Sequence, residues 1–466
     1  MLKIIFLFFM AGGVPVAIAM AGAALVYILT SDSQPLPPFV VIHRMVSGID
    51  SFPLLAVPFF ILTGNLMNSA GITTRIYNFA LALVGWLKGG LGHVNVLGSV
   101  IMAGMSGTAI ADAAGLGTIE IKAMKEHGYS TEFAVGVTAA SATLGPIIPP
   151  SLPFVIYGMM ANVSVGALFL AGLLPGALLA ILMMLTVAYY AHKNRWGADV
   201  KFSRTRLFKA LAELLVVIGW PLLLWLLVVR LGTPAQLTVF AGLACLFVLD
   251  KLFDFQALLP IMTPVLLIGG MTTGLFTPTE GAIAACVWAM ILGFAWYRTL
   301  SWKMFIRVCL DTIETTSTVL LIVAAASIFG WMLTVTGVTT DIAAWVLAFT
   351  QEPWVFLLLA NLLMLFVGCF LEPTAAITIL VPILLPIAST LGIDPIHFGL
   401  VMVLNLMIGL LHPPMGMVLF VLARISGLSL ERTTMAILPW LIPLLLSLGV
   451  ITYMPKIVLW IPKMFY

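Results

Sequence analysis

Charge is scarce in this sequence. Only 8% of its 466 residues are Asp, Glu, Lys or Arg, against about 25% in an ordinary soluble domain, and so thin a supply excludes a water-soluble globule. Cysteine is equally sparse: Cys245, Cys286, Cys309 and Cys369 each sit in an apolar stretch with no paired or metal-ligand spacing. They offer neither a disulfide framework nor a zinc site, and read as small buried hydrophobes. His43, His93, His127, His192 and His397 show no metal spacing either and read as interface or loop histidines. The apolar core holds no pair of Asp residues, no His-rich zinc spacing and no Ser/His arrangement, which leaves an intramembrane enzyme without support. Nothing calls for a cofactor. The net charge of +3 comes from short loops between apolar runs and gives no reason to expect a nucleic-acid partner.

What is abundant is apolar length. Hydrophobic residues make up 62% of the chain, and segments of about twenty or more recur throughout, each able to cross a hydrocarbon core of about 30 Å as a helix. Residues 2–29 have no basic leader beyond Lys3 and run past the length of a signal peptide, so they read as a first span. Spans follow at about 40–68, 131–160 and 164–191, then crossings near 211–230, 234–250 and 257–274, then spans near 276–297, 306–336, 394–423 and 432–453. Surface helices are expected near 72–88 and 340–351, and re-entrant hairpins near 90–126 and 354–391. Trp196, Trp220, Trp302, Trp440 and Trp460 fall near predicted membrane edges, where amphipathic rings are favoured.

The chain also repeats itself at a spacing of 264 residues. Gly104 pairs with Gly368, Gly128 with Gly392, Val137 with Val401, Gly145 with Gly409, Pro149 and Pro150 with Pro413 and Pro414, and Pro175 with Pro439. Upstream the register slips by two, so that GITTRI at 71–76 matches GVTTDI at 337–342. Paired Gly and Pro breaks in two weakly similar halves are the signature of a transporter with repeated architecture.

Charge decides the relative orientation of the halves, because cytoplasmic loops accumulate Lys and Arg. The loop after the first half carries Lys193, Arg195, Lys201, Arg204, Arg206 and Lys209, whereas its counterpart near the C-terminus has only Lys456 and Lys463. The link at 31–38 has no basic residue, yet its counterpart contains Arg298, Lys303 and Arg307. The halves are therefore expected to be inverted, with the loop at 193–210 cytoplasmic and the C-terminus on the opposite side. Lys122 and Lys125 bring the first hairpin in from the cytoplasm.

Each half contains two interruptions at what should be mid-membrane depth. The first has GMSGTAIAD at 104–112 and LGPIIPPS at 144–151; the second has GCFLEPT at 368–374 and IGLLHPPMG at 408–416. Non-helical backbone at that depth must face protein or a wet cavity, and proline frees carbonyls by removing amide donors. Helix C-terminal carbonyls suit a dehydrated cation and helix N-terminal amides suit a carboxylate. No Lys or Arg occurs at 89–121, 126–192 or 308–423, so an anion held there would depend on hydroxyls, amides and bound cations.

At these stretches the sequence resembles the large permease subunit of tripartite ATP-independent periplasmic (TRAP) transporters. The resemblance is carried by MSGTAIADAAGLGTIEIKAM at 105–124, ASATLGPIIPPS at 140–151, GLFTPTEGA at 274–282 and GIDPIHFGLVMVLNLMIGLLHPPMG at 392–416. Glu372 stands where the family commonly has Asp, and His412 where it commonly has Thr. The resemblance implies an all-α multi-span protein of two inverted repeats, each with a re-entrant helical hairpin and a broken transmembrane helix, working as an elevator against a scaffold. It further implies Na⁺ as coupling ion, a small carboxylate as substrate, a small four-helix membrane subunit and a periplasmic solute-binding protein as partners, and residence in a bacterial inner membrane. The first repeat is expected at 1–192 (scaffold 1–88, hairpin and broken helix 89–160, closing helix 164–192). Linking elements should occupy 193–274, and the second repeat 275–466 (scaffold 275–351, hairpin and broken helix 353–423, closing helix 431–454).

Candidate substrate contacts are Ser106, Thr108, Asp112, Ser141, Glu372, Thr374 and Asn405. Candidate Na⁺ ligands, by backbone or side chain, are Gly104, Met105, Ser106, Gly107, Gly145, Ile148, Gly368, Leu371, Glu372, Gly409 and His412. Several have a second reading. Ser106 and Thr108 also suit helix caps, Asp112 a packing partner, and Glu372 before Pro373 an acidic helix start. Asn405, opposite Ser141 in the repeat, suits either the cavity or an interhelical hydrogen bond. Thr277 to Glu280 form a capping box rather than a site. The competing function is a self-sufficient Na⁺-coupled dicarboxylate or citrate carrier that needs no binding protein.

Overall fold

The computed structural model describes residues 2–30, 37–231, 235–253, 255, 257–272, 275–413 and 416–465. Among them the chain is helical, and extended pairing is limited to one antiparallel bridge between Lys88 and Ala198. Six helices are long and apolar enough to cross a membrane: Phe52–Ser69, Val165–Lys193, Pro278–Trp296, Trp302–Val335, Pro373–Thr390 and Leu430–Tyr453. Local chemistry sets their ends. Ser164 caps Val165–Lys193 by accepting the Ala167 amide, and His192 and Lys193 lie in its last turn, where cations suit the helix dipole. Thr277 and Glu280 form the expected capping box at the start of Pro278–Met290.

The remaining spans are assembled from shorter pieces. The span expected at 2–29 is two helices, Leu2–Ala11 and Val16–Thr30, because Gly12, Gly13 and Pro15 cannot all continue a helix and Gly13 takes a φ of +75°. The span expected at 40–68 breaks too, at Asp50 and Ser51, between Phe39–Ile49 and Phe52–Ser69, where Pro53 opens the second piece. Most of the link at 31–38, which has no basic residue, lies outside the described residues, as do Gly274 and Pro414.

The first half runs through a surface helix, Ile72–Val84, and a hairpin of Gly90–Ser106, Ala109–Ala114 and Leu116–Glu126. A span broken into Thr131–Ala142 and Leu152–Ala161 follows, then the closing helix. The second half repeats this order with Val338–Phe349, hairpin arms Pro353–Gly368 and Pro373–Thr390, a span broken into Pro395–Gly409 and Met417–Ser426, and closing helix Leu430–Tyr453. The halves exchange partners reciprocally. Leu152–Ala161 packs on Pro373–Thr390 while Met417–Ser426 packs on Ala109–Ala114. Ala56–Ser69 meets Pro278–Met290 while Trp302–Val335 meets Val16–Thr30. Such exchange is what a pseudo-two-fold relation between repeats requires.

Buried apolar side chains gather into three clusters. The largest holds the hairpins, broken spans and closing helices around Phe154, Tyr157, Phe169 and Phe398, together with Phe60, Ala282 and Val323 of the neighbouring spans. A second joins Leu66, Phe79 and the hairpin residues Met102 and Met105 to Leu258 of the linking helices and to Trp288, and a third joins Met20 and Ala24 to Phe329 and Met332. Trp440 belongs to the first cluster: it is 1% exposed, stacked on Tyr190, in the space left where Gly136 has no side chain. His93 and His397 are also buried, and His397 Nε2 lies 2.9 Å from the Ile451 carbonyl. Cys286 is buried but Cys245 is exposed.

Candidate functional site

The first hairpin reverses at Gly107, which ends Gly90–Ser106 with φ +63°, a conformation L side chains rarely take. Thr108 then starts the return as an extended residue whose hydroxyl accepts the Ala111 amide. A Cβ on Gly107 would lie 2.8 Å from the Pro150 carbonyl oxygen, so the tip rests directly on the break of the neighbouring span. There Ser151 caps Leu152–Ala161 by accepting the Phe154 amide. A Cβ on Gly145 would stand 2.7 Å from Asp112 Oδ2 and 3.2 Å from the Thr108 carbonyl. Ser106, Gly107, Thr108, Asp112 and Gly145 are thus brought together. Gly104 abuts Pro264, the Met105 and Ser106 carbonyls face Gly64, and Ile148 packs on Gly176, so these three border the cluster from other sides.

Asp112 is the chemically distinctive member. Its Oδ1 accepts the Ser106 hydroxyl at 2.5 Å, whereas Oδ2 is buried with no hydrogen-bond partner among the described residues. A buried carboxylate without a counter-charge is costly, and an acid at this depth is a functional position by default. An oxygen of this kind beside the Thr108 carbonyl offers a seat for a cation or a proton.

The second break is built differently. Glu372, which aligns with Thr108 at the 264-residue spacing, caps Pro373–Thr390: its carboxylate accepts the Thr374 amide at 3.1 Å, the Ala375 amide at 3.4 Å and the Thr374 hydroxyl at 2.8 Å. Asp112 aligns with Ala376, so the second half has no matching acid. Here the crossing is between backbones. A Cβ on Gly409 would come within 2.7 Å of Gly368 Cα and carbonyl carbon, while Leu371 and His412 are half-buried beside the breaks.

Ser141 and Asn405 occupy equivalent places and do equivalent things. Ser141 donates to Asn95 Oδ1 at 2.7 Å; Asn405 donates to Asn361 Oδ1, and Asn361 donates to Thr452 at 3.0 Å. Asn95 and Asn361 are 266 residues apart, in the slipped register of the repeat, and each ties a hairpin arm to its broken span. Asn95 also donates to Thr138 and to the buried Glu120, whose Oε1 has no hydrogen-bond partner among the described residues. Sequence reasoning passed over Asn95, Glu120 and Asn361; the recurrence of Asn at the repeat spacing was the available signal.

A cavity of about 350 Å³ opens between the scaffold helices Phe39–Ile49 and Trp302–Val335 and the second hairpin, lined by Ser47, Ser327, Trp331, Thr334, Met160 and Pro382. Arg44 stacks on the Trp331 ring at 4.7 Å.

Paired hairpins, paired broken spans and reciprocal packing specify one architecture, and the sequence agrees: residues 3–457 match the family described as tripartite ATP-independent periplasmic transporter, DctM component. The chain belongs to the DctM family. It is 41% identical to the sialic acid TRAP transporter large permease protein SiaM of Vibrio cholerae over 97% of this chain and 96% of that protein. It is 35% identical to the C4-dicarboxylate TRAP transporter large permease protein DctM of Pseudomonas aeruginosa, over 90% of this chain and 88% of that one. In fold it is similar to the Alcanivorax borkumensis YdaH transporter, with a TM-score of 0.60 at 16% identity and coverage of 99% and 98%. This DctM-family chain is therefore a membrane permease subunit of a TRAP transporter and not an enzyme.

Proposed function

We propose that the chain imports a small organic acid, a C4-dicarboxylate, a sialic acid or a similar carboxylate, by coupling its movement to Na⁺. One observation carries the reading: in each half the hairpin rests on the break of its own broken span, and the helix that follows that break packs on the other half's hairpin, so bare carbonyls, capped amides and the unpartnered Asp112 oxygen gather at the breaks. Na⁺ would sit among the carbonyls at 104–107 and 145–148 with Asp112, and at a second seat near Gly368, Leu371, Glu372, Gly409 and His412. Substrate carboxylate would meet the hydroxyls and amides of Ser106, Thr108 and Thr374. The names of the relatives point to acids of this class, since sialic acid and C4-dicarboxylates both carry carboxylates.

The reading includes an elevator, with the hairpins and broken spans at 89–160 and 353–423 moving against helices 1–88 and 275–351. A periplasmic binding protein would deliver the acid, and a small four-helix membrane subunit would brace the scaffold. In this arrangement the loop at 193–210 is cytoplasmic and the C-terminus periplasmic. The test is uptake into proteoliposomes containing this chain, its small subunit and the matching binding protein. Uptake should need all three and an inward Na⁺ gradient; transport by this chain alone would establish the self-sufficient carrier instead. Asp112→Asn should lower the apparent Na⁺ affinity at least about tenfold without lowering the thermal midpoint, because it removes an unpaired buried charge.

A further inference from the structure

The cavity of about 350 Å³ between the scaffold and the second hairpin stands apart from the helix breaks and has the size of a small-molecule site. Met159 lies eight residues beyond Ser151, and Pro382 ten beyond Glu372. At 1.5 Å per residue the cavity is roughly 12–15 Å along the helices that leave the two breaks, toward the outer face in the orientation proposed above. Two helix faces form its scaffold side. On Phe39–Ile49, Arg44, Ser47 and Gly48 share a face at spacings of three and four, and on Trp302–Val335 so do Ser327, Trp331 and Thr334. The faces meet closely, since a Cβ on Gly48 would collide with Ser327 Cβ.

The hydroxyls here are unspent. Thr63, Thr312 and Thr334 return theirs to the carbonyl four residues back, as helical hydroxyls commonly do. Ser47, Ser51 and Ser327 make no side-chain hydrogen bond among the described residues, and Ser51 does not cap the turn it precedes. Arg44 rests on the Trp331 ring at 4.7 Å and makes no ion pair among the described residues. It is the cation within reach. Leu152–Ala161 and Pro373–Thr390 carry no Lys or Arg, and Arg307, the nearer of the two on Trp302–Val335, is twenty residues from Ser327, about 30 Å. Among the described residues no acidic side chain lines the cavity.

We propose that this cavity is a waypoint for the imported acid before it reaches the hairpin tips, with Arg44 turning from Trp331 onto its carboxylate and Ser47, Ser51 and Ser327 donating to it. The inference rests on the import reading above. No Lys or Arg occurs at 89–121, 126–192 or 308–423, so an acid passing straight to the tips would leave water with no fixed counter-charge. A guanidinium parked on an aromatic face keeps its charge and can pair with a carboxylate through two parallel hydrogen bonds. Met159, Met160 and Pro382 offer apolar contact to the body of the molecule.

The test is the rate at which a thiol reagent labels S327C in the purified full chain, located by mass spectrometry, without Na⁺ so that the tips hold no coupling ion. Sialic acid or succinate should slow the labelling, and their methyl esters should not. R44Q in the same background should need about tenfold more acid or more for equal protection, while K456Q, which removes a charge elsewhere, should need no more. Equal protection in R44Q, equal loss in K456Q, protection by the esters, or protection that appears only with Na⁺ would overturn the waypoint. Protection by oleate but by neither acid would give the cavity to a lipid and overturn it too. If S327C does not fold, S47C, on an exposed side chain, carries the same readout. Proteoliposomes separate the two readings: no import by the natural chain with its partners sinks the import reading, whereas normal import with S327C unprotected sinks this inference alone.

Discussion

Gly107 and Gly128 both hold a positive φ, +63° and +83°, but only one of them is crowded. A Cβ on Gly128 would find nothing within 4 Å; on Gly107 it would stand 2.8 Å from the Pro150 carbonyl oxygen and 3.5 Å from its carbon. Alanine at Gly128 therefore carries only the left-handed backbone cost, roughly 1–2 kcal/mol. At Gly107 that cost is joined by overpacking against main chain, which cannot swing aside as a side chain can, for about 1–3 kcal/mol more. The sum is roughly 2–5 kcal/mol. Gly392, the counterpart of Gly128, has φ +73° with open space around it and should behave as Gly128 does. The assay is the thermal midpoint of each purified variant beside Na⁺-driven uptake in proteoliposomes. G128A and G392A should fall by similar small amounts and keep transporting, while G107A should fall at least twice as far and lose uptake. If G107A matched G128A in both readouts, the hairpin tip would not rest on the neighbouring break, and the reasoning that places a site between them would fail.

Other outcomes are expected from the same contacts. N405L strands the Asn361 carbonyl in a buried place and should cost about 1–3 kcal/mol, whereas N361L/N405L should cost less than the sum of the single changes in a double-mutant cycle. E372A removes a helix cap and should lower stability by about 0.5–2 kcal/mol. E372Q keeps a capping oxygen, so a fall in Na⁺ affinity at unchanged midpoint would separate a cation role from the cap. Burial, and then donation to Asp199, hold the Tyr129 phenol well above its usual range. Because the folded value is raised, this contribution to stability is complete below about pH 10, the unfolded value, and is lost as pH climbs toward the folded one. Y129F should flatten that alkaline slope in thermal midpoint against pH.

The repeat carried most of the architecture. Gly104, Gly145, Gly368 and Gly409 at a fixed spacing announced four interruptions, and helices do break at 107–108, 143–151 and 369–372 and end at Gly409. Backbone chemistry explains this success: few residues other than Gly and Pro can end a helix inside a bilayer, so sequence and break coincide. The two extra breaks, at 12–15 and 50–51, were hidden because a long apolar run reads as one span whether or not it bends. The burial of Trp440 was hidden for a related reason: nothing in the linear sequence says that Gly136 lies across from it.

The sequence by itself determined that this protein lives in a membrane, is built twice from one unit, and interrupts its helices at paired positions. Composition and periodicity are local properties, readable one residue after another. Only the tertiary structure decided which interruptions touch, that Asp112 keeps a bare oxygen beside Gly145 while Glu372 spends its own on a helix cap, and that Ser141 and Asn405 face asparagines. A side chain's partners depend on what lies across a helix interface 1.5 Å of rise at a time, and that register is set by packing of the whole.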